Sequence, residues 1–429
     1  EYFEKNLNLE WLSNEKYFSK TIIEKLHHIK KNRYQGKQYY ISWDKKDECI
    51  IPTNEIEYNN LDWLKEHNRL GALIRYWNIV EYFFPYKYQM DQNWDKTLLE
   101  MIPKFSEVES ELDFHLAMLE TVALIDDSHG FLTFTEPMII FFGYNWIPAD
   151  FKIIENKAVI TRLINESFAE IDDIRIGDAI IKIDGKTIPE IIKEKDKYRI
   201  GSNRNIKNLK KLSSFFFNGN SDSVTVEFIR NSEVIVKTIN RYPYRQFNSK
   251  LKIKTYKYKI IENNIGYADL GQLEIKDVKK MMLEFDNTKA IIFDVRNYPK
   301  DVLFELSNYL NANKKDFVRF MKPDFSHPGR FVWLPKVTCG KENKNHYKGK
   351  VVVLVNHETL SHAEFTVMAL KTAENSIVIG DQTAGADGNI CEFYFWKNIK
   401  TRMTSLGTFY PNGEETQRVG IIPDIIVKQ

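Results

Sequence analysis

Cysteine is scarce in this chain: three residues in 429, Cys49, Cys339 and Cys391, with no C-x-x-C pair. That excludes a cysteine-rich zinc site and a thioredoxin-like redox motif, and leaves room for one disulfide at most. Charge of one sign is also lacking. A formal net charge of +2 gives no push toward nucleic acid or an anionic membrane. No apolar run approaches the ~18 residues needed to span a bilayer. The longest, such as "MIIFF" from Met138, have only the length of a strand. Lysine is missing from Thr372 to Trp396, which limits where a base could come from.

What is present is ordinary for a globular chain. Hydrophobic residues make up 43% and charged residues 28%, enough for two or three domains with a large core. The basic run Lys207 to Lys211 reads as a solvated helix face. The chain opens at Glu1 without an initiator Met, which reads as a processed or truncated chain with a signal peptide removed.

Periodicity divides the chain into three. Leu70, Leu73, Ile74, Trp77, Val80 and Phe83 recur at helical spacing up to Pro85, and a second amphipathic helix covers roughly 108–125 before the turn "DDSHG". Residues 1–135 therefore read as a mainly helical N-terminal domain. From about Phe141 the period becomes two. "KAVITRLI", the Asp184-Gly185 hairpin after Ala179 to Ile183, and "SVTVEFIR" predict a small β domain over 136–245, with a basic insertion near 190–222. Its G-D-x-I-x-x-I-D-G run resembles PDZ domains, which bind extended peptides at a sheet edge. Residues 246–429 alternate apolar strands ("KAIIFDVR", "KVVVLVN", "SIVIG") with amphipathic helices, the pattern of a parallel sheet whose sites lie beyond the strand C-termini.

One such loop is "NHETLSHAEF", Asn356 to Phe365. Zinc chemistry of the H-E-x-x-H kind needs histidines four apart on one helix face. Here His362 is five after His357, a rotation of roughly 140° that splays the rings. Ser361 and Glu364 form a capping-box pattern before an apolar helix, and a capping serine need do no chemistry. Yet a serine at a strand-to-helix turn is also placed where free N–H groups can stabilise an oxyanion. A serine nucleophile needs a histidine or lysine base. Of nine histidines, His115 reads as core, and His27, His28, His67, His327 and His346 fall in polar segments. His129 stands out, in a tight turn with Asp126, Asp127 and Ser128 beside it.

With "RLGALIRYWNIVEYFFPY", "DDSH", "IGYADLG", "IIFDVRNYP", "VVVLVNHETLSHAEF", "GDQTAGADG" and "QRVGIIPDIIV" in this order, the chain resembles the tail-specific, or C-terminal processing, serine peptidases, including the tricorn-type branch. The resemblance covers roughly 69–429. It implies a multidomain α/β and α+β fold: a helical N-terminal domain, a PDZ-like domain and a C-terminal α/β peptidase core of ClpP/crotonase-like type. It places Ser361 on the nucleophile and His129 on the tricorn-type base, with Ser128 beside it. The lysine of the other branch would fall near Ala386. The acidic residue that completes the tetrad is replaced by Gln417, so that Glu414 or Glu415 would have to supply a charge if one is needed. The family's glycine-rich oxyanion loop reads Asp294-Val295-Arg296-Asn297-Tyr298-Pro299-Lys300 here, and Pro299 has no N–H to give. His362 N–H is one expected donor and Tyr298 or Lys300 the other, while Asp294 and Arg296 are expected to fix the strand end.

The resemblance thus implies a serine endopeptidase acting on a polypeptide, with its C-terminal tail as one mode of recognition. It implies no cofactor, no metal and no nucleic acid, and an extracytoplasmic location (periplasmic, secreted or envelope-associated). The departures at Gln417 and in the oxyanion loop keep a second expectation open, a non-catalytic member of the same fold that binds peptides or apolar ligands.

Overall fold

Strand Lys350–Val355 lies near the middle of a six-stranded sheet whose order is Tyr258–Ile261, Ile265–Asp269, Ala290–Asp294, Lys350–Val355, Ser376–Gly380 and Ile425–Ile426. The first pair is antiparallel and every other pair parallel. This computed structural model describes residues 1–46, 48–55, 61–209, 216–247 and 256–427. The apolar strands seen in the sequence pack against helices Ile275–Phe285, Leu303–Leu310 and His362–Leu370, forming one core with Phe293, Val353, Val367 and Leu370 all buried.

The N-terminal helices obey their sequence signals. Glu66–Phe83 ends just before Pro85, and Glu111–Ala123 starts at Ser110, whose hydroxyl accepts the Asp113 N–H at 3.1 Å. The segment "EPMIIFF" is a helix, Glu136–Phe142, where strand length was expected. Pro137 in its first turn and Gly143 at φ +92° after its end outweigh the β-branched residues between. Next comes an antiparallel sheet in the order Glu233–Asn240, Ser223–Arg230, Ala179–Ile183, Lys157–Leu163, Ala149–Ile154. Asp184 and Gly185 both take positive φ, 48° and 80°, as a type I′ hairpin turn requires. In the basic insertion, Lys207 is an ion-pair partner of Asp126 at 2.7 Å, where a solvated face was expected; Lys210 and Lys211 lie outside the described residues.

The hydrophobic cores do not follow boundaries at 135 and 245. Helices from 66–123, the antiparallel sheet and the late strands Ile390–Trp396 and Ile399–Thr404 share one core, separate from that of the parallel sheet. Tyr76 stacks on Phe395 with centroids 4.4 Å apart, and Phe105 packs on the same ring. The chain's C-terminal third is thereby fastened to its N-terminal helices.

Phe395→Ala should therefore cost about 3–5 kcal/mol and shift the urea midpoint reported by the N-terminal tryptophans Trp77 and Trp94. An unchanged tryptophan transition would show that the helices do not depend on this core. A second expectation concerns acid. His115 is 4% exposed with Nδ1 on Thr135 Oγ1 at 2.8 Å, and burial lowers its pKa from 6.5 to about 4. The unfolded chain binds this proton first, so stability is full above pH 6.5 and is lost as the pH falls toward 4. His115→Gln should flatten the stability–pH curve in that window.

Candidate active site

Ser361 follows the central strand Lys350–Val355 and immediately precedes helix His362–Leu370, at the C-terminal edge of the parallel sheet. Its backbone sits at φ 57°, ψ −124°, a left-handed conformation that is unfavourable for a serine. Two acceptors hold it there. The Ser361 N–H points between the Ala386 carbonyl at 2.9 Å and a Glu364 carboxylate oxygen at 3.2 Å. Both halves of the expected capping box are present: the Glu364 carboxylate accepts the Ser361 N–H, and the Ser361 side chain faces the Glu364 N–H at a geometry looser than a full hydrogen bond. In that contact the hydroxyl is an acceptor and keeps its own proton.

Glu364 itself is fully inside. Burial pushes its pKa up, and donors from Thr383 Oγ1, Gly385 N, Ala386 N and Ser361 N offset that penalty. Gly385 makes this cradle feasible, since at φ +67° a Cβ would fall 2.7 Å from the Arg418 backbone. Ala386, at the place of the other branch's lysine, is buried.

Among the described residues the N–H groups of His362 and Tyr298 have no hydrogen-bond partner, and both residues line a hollow of about 500 Å³ with Ser361. Lys300 does not fit the oxyanion role expected of it. Its N–H is spent on the Leu270 carbonyl at 3.0 Å and its ammonium lies 3.2 Å from Glu274. Asp294 and Arg296 pair at 2.6 Å, and Tyr267 adds a bond to Asp294, a strand-end clasp. The two histidine rings of "NHETLSH" face different partners: His357 lies 3.6 Å from Asp381, and His362 is packed near Tyr298 and Phe365.

His129 is positioned by strand pairing. Phe131–Leu132 pairs with Ile399–Thr404, which brings Thr404 alongside the turn. The ring Nδ1 lies 2.8 Å from Thr404 Oγ1, and Thr404 Oγ1 donates to Asp127 Oδ1 at 3.0 Å. A threonine hydroxyl has one proton, and here it is given to Asp127. Oγ1 must therefore accept from Nδ1–H, which leaves Nε2 as the basic nitrogen. Asp127 is 0% exposed and also accepts from His129 N at 3.0 Å and Thr404 N at 2.6 Å.

Ser128 and Gln417, expected to hold the ring, are bonded elsewhere. Ser128 and Ser202 exchange backbone–hydroxyl bonds of 2.7 and 2.8 Å, and Gln417 Nε2 reaches Asp127 Oδ1 and Ser202 Oγ, both at 3.4 Å. The Nδ1 bond belongs to Thr404, and Gln417 acts through Asp127. Glu415 does not take the missing acid's place, because Tyr88 and Gln89 occupy it at 2.6 to 2.7 Å. Glu414 lines a different hollow. Thr404 was invisible to sequence reasoning, since nothing local marks it; Asp127 was visible as a neighbour of His129 but not as the carboxylate behind it.

His129 opens into an apolar hollow of about 320 Å³ lined by Leu119, Phe131, Phe134, Ile200 and Leu360. Ile390 borders this hollow and that of Ser361 alike. The hydroxyl and the ring thus occupy adjoining hollows without bonding to each other. Lys46, from the N-terminal hairpin, stands at the Ser361 hollow as well, a contribution the sequence did not signal. Among the described residues no group of three or more His, Cys, Asp or Glu is placed to hold a metal ion, and no helix is long and apolar enough to cross a membrane.

Residues 264–427 match peptidase family S41. A carboxy-terminal-processing protease of Bartonella bacilliformis is 27% identical over a stretch covering 42% of this chain and 42% of that protein. The chain therefore matches less than half the length of that curated relative. The structure of mature CPAF complexed with lactacystin superposes with TM-score 0.65 at 13% identity, covering 84% of this chain and 94% of that one. A second structure of mature CPAF gives 0.64 at 14%, covering 84% and 92%. At such identities the likeness is one of fold.

The backbone at Ser361 has a measurable consequence independent of any activity. Ser361→Gly should stabilise the protein by about 1 kcal/mol by relieving the left-handed strain, and Ser361→Val should destabilise it. Chemical unfolding reads both; a Gly variant no more stable than Ala would show that the strain is not there.

Proposed function

We propose that this chain, whose residues 264–427 are a peptidase family S41 domain, is a serine endopeptidase of the C-terminal processing type. In this reading Ser361 Oγ attacks a peptide carbonyl, and His129 Nε2 takes its proton and returns it to the leaving amine. The observation that carries the reading is the tautomer imposed on His129 by Thr404 and Asp127. A base nitrogen is held ready beside a strained serine at a helix N-terminus. Asp127, through Thr404, supplies the buried negative charge that the imidazolium needs, the part that Gln417 cannot play. The N–H groups of His362 and Tyr298 are the oxyanion donors.

Ring and hydroxyl meet only over a bound peptide, as catalytic contacts commonly tighten in the substrate complex. The apolar hollow beside His129 suits an apolar substrate side chain, and the Lys46 ammonium at the Ser361 hollow suits a carboxylate of the polypeptide. The antiparallel sheet over 149–240 is read as the PDZ-like module that engages the tail through a free edge. The resemblance to C-terminal processing peptidases implies an extracytoplasmic location.

A fluorophosphonate probe should label the folded wild-type protein at Ser361 and fail to label Ser361→Ala or to be turned over by it. In peptide hydrolysis, Asp127→Asn should lower kcat by about 10²-fold or more with KM little changed, and Thr404→Val similarly, whereas Gln417→Ala should cost less. A folded protein that neither labels nor cleaves would overturn the enzyme reading in favour of a binding protein. Equal losses at Gln417 and Asp127 would overturn the assignment of the acid.

A further inference from the structure

The N-terminal hairpin Ile41–Asp44 and Cys49–Pro52 forms a two-stranded sheet of its own, with no ladder to any other sheet among the described residues. Side-chain contacts attach it. Ile50 is buried in the first core, Ser405 Oγ donates to the Glu48 carbonyl at 2.9 Å, and Asn389 Nδ2 reaches Glu48 Oε2 at 3.4 Å. The turn between its strands carries Lys46 to the hollow that holds Ser361. An element joined to the rest by side-chain packing thus reaches the wall of the candidate site.

Two of the three cysteines meet at this junction. Cys49 starts the hairpin's second strand, and Cys391 lies on Ile390–Trp396, which packs on it. Cys391 Sγ donates to the carbonyl of Ile50, the residue after Cys49, at 3.1 Å, and the neighbouring Cys49 thiol raises the pKa of Cys391. Cys391 is fully buried and Cys49 half-buried. Cys339 is in the other core against Thr372.

We propose that Cys49 and Cys391 form a disulfide that latches the hairpin Ile41–Pro52 onto the strand beginning at Ile390, beside the Ser361 hollow. With Cys391 Sγ against the backbone of the residue next to Cys49 on packed strands, the two sulfurs need only a short approach to reach the S–S bond length of about 2.05 Å. A low-molecular-weight disulfide such as oxidised glutathione is the oxidant. The more accessible Cys49 sulfur attacks one glutathione sulfur, breaking its S–S bond and releasing one glutathione thiol. Cys391 then attacks Cys49 Sγ and expels the second. The protein loses two electrons and two protons, and glutathione disulfide gains both as two thiols. The neighbouring Cys49 thiol and burial push the Cys391 thiol pKa up, which makes Cys391 the resolving cysteine and not the first attacker. None of this rests on the peptidase reading.

The test is made on the full chain, incubated with oxidised glutathione, then denatured and alkylated with iodoacetamide. Intact mass and peptide mapping should show one alkylated cysteine, Cys339, and a Cys49–Cys391 cross-linked peptide, about 2 Da lighter than its reduced parts. Dithiothreitol should restore three alkylated cysteines. Cys49→Ser and Cys391→Ser should each abolish the internal disulfide, and Cys339→Ser should retain it. Amides of 41–46 and 49–51 should exchange hydrogen roughly tenfold more slowly in the oxidised protein. Three alkylated cysteines after oxidation, a bridge to Cys339, or glutathione remaining on Cys49 with Cys391 alkylated would each overturn the disulfide. A bridge that leaves hairpin exchange unchanged would overturn the latch.

Discussion

The buried carboxylate of Asp127 draws together three stretches of chain, its own turn and two distant segments that have no local reason to meet it. It accepts hydrogen bonds from the His129 backbone, from both the N–H and hydroxyl of Thr404, and from Gln417. An ionised group fully out of water is tolerable only when its lone pairs are filled this way. That requirement fixes the His129 turn against the strand Ile399–Thr404 and against the late segment carrying Gln417. Losing any one donor would leave the carboxylate short, and the His129 ring would lose the partner that sets its tautomer.

The same bookkeeping explains Gln417. A glutamate in its place would set a second carboxylate 3.4 Å from Asp127 in a water-excluded space, and like charges so placed cannot both stay ionised. The glutamine amide turns that repulsion into a donor. Where the sequence shows a missing acid, the fold places a buried carboxylate of another residue, Asp127, linked to the His129 ring through Thr404. Opposite this network, Glu364 performs a parallel service for Ser361. It gathers donors from the 383–386 loop and the serine's own N–H, so that the strained backbone is held from two sides.

The two clusters belong to different cores. Ser361 and Glu364 stand on the parallel sheet, whereas His129, Asp127 and Thr404 stand on the core shared by the N-terminal helices and the late strands. The site is therefore formed where two packed bodies adjoin, with Ile390 bordering both hollows and the N-terminal hairpin closing one side. Placement of ring against hydroxyl is a matter of how those bodies sit, which gives the hairpin and its cysteines leverage on the site.

Much of this was legible in the residues alone. Alternating apolar strands and amphipathic helices announced the parallel sheet, because burial on both faces leaves no other pattern. S-x-x-E after a strand located the helix start at Ser361, and the turn "DDSH" marked His129, because these signals are short-range and depend on neighbours a few residues apart. The helix Glu136–Phe142 was misjudged from its apolar run, since periodicity cannot separate a short buried helix from a strand and only the flanking Pro137 and Gly143 decide. Thr404 behind His129, Lys300 spent on Leu270, Gln417 on Asp127 and Lys46 beside Ser361 all depend on contacts between residues far apart in the chain. Such contacts are set by which strands pair and which cores close, and a hydroxyl or an amide looks the same in sequence wherever it is finally packed. The sequence by itself determined the elements and singled out Ser361 and His129; the tertiary structure decided which carboxylate stands behind the His129 ring, which N–H groups remain free, and which cysteines come near each other.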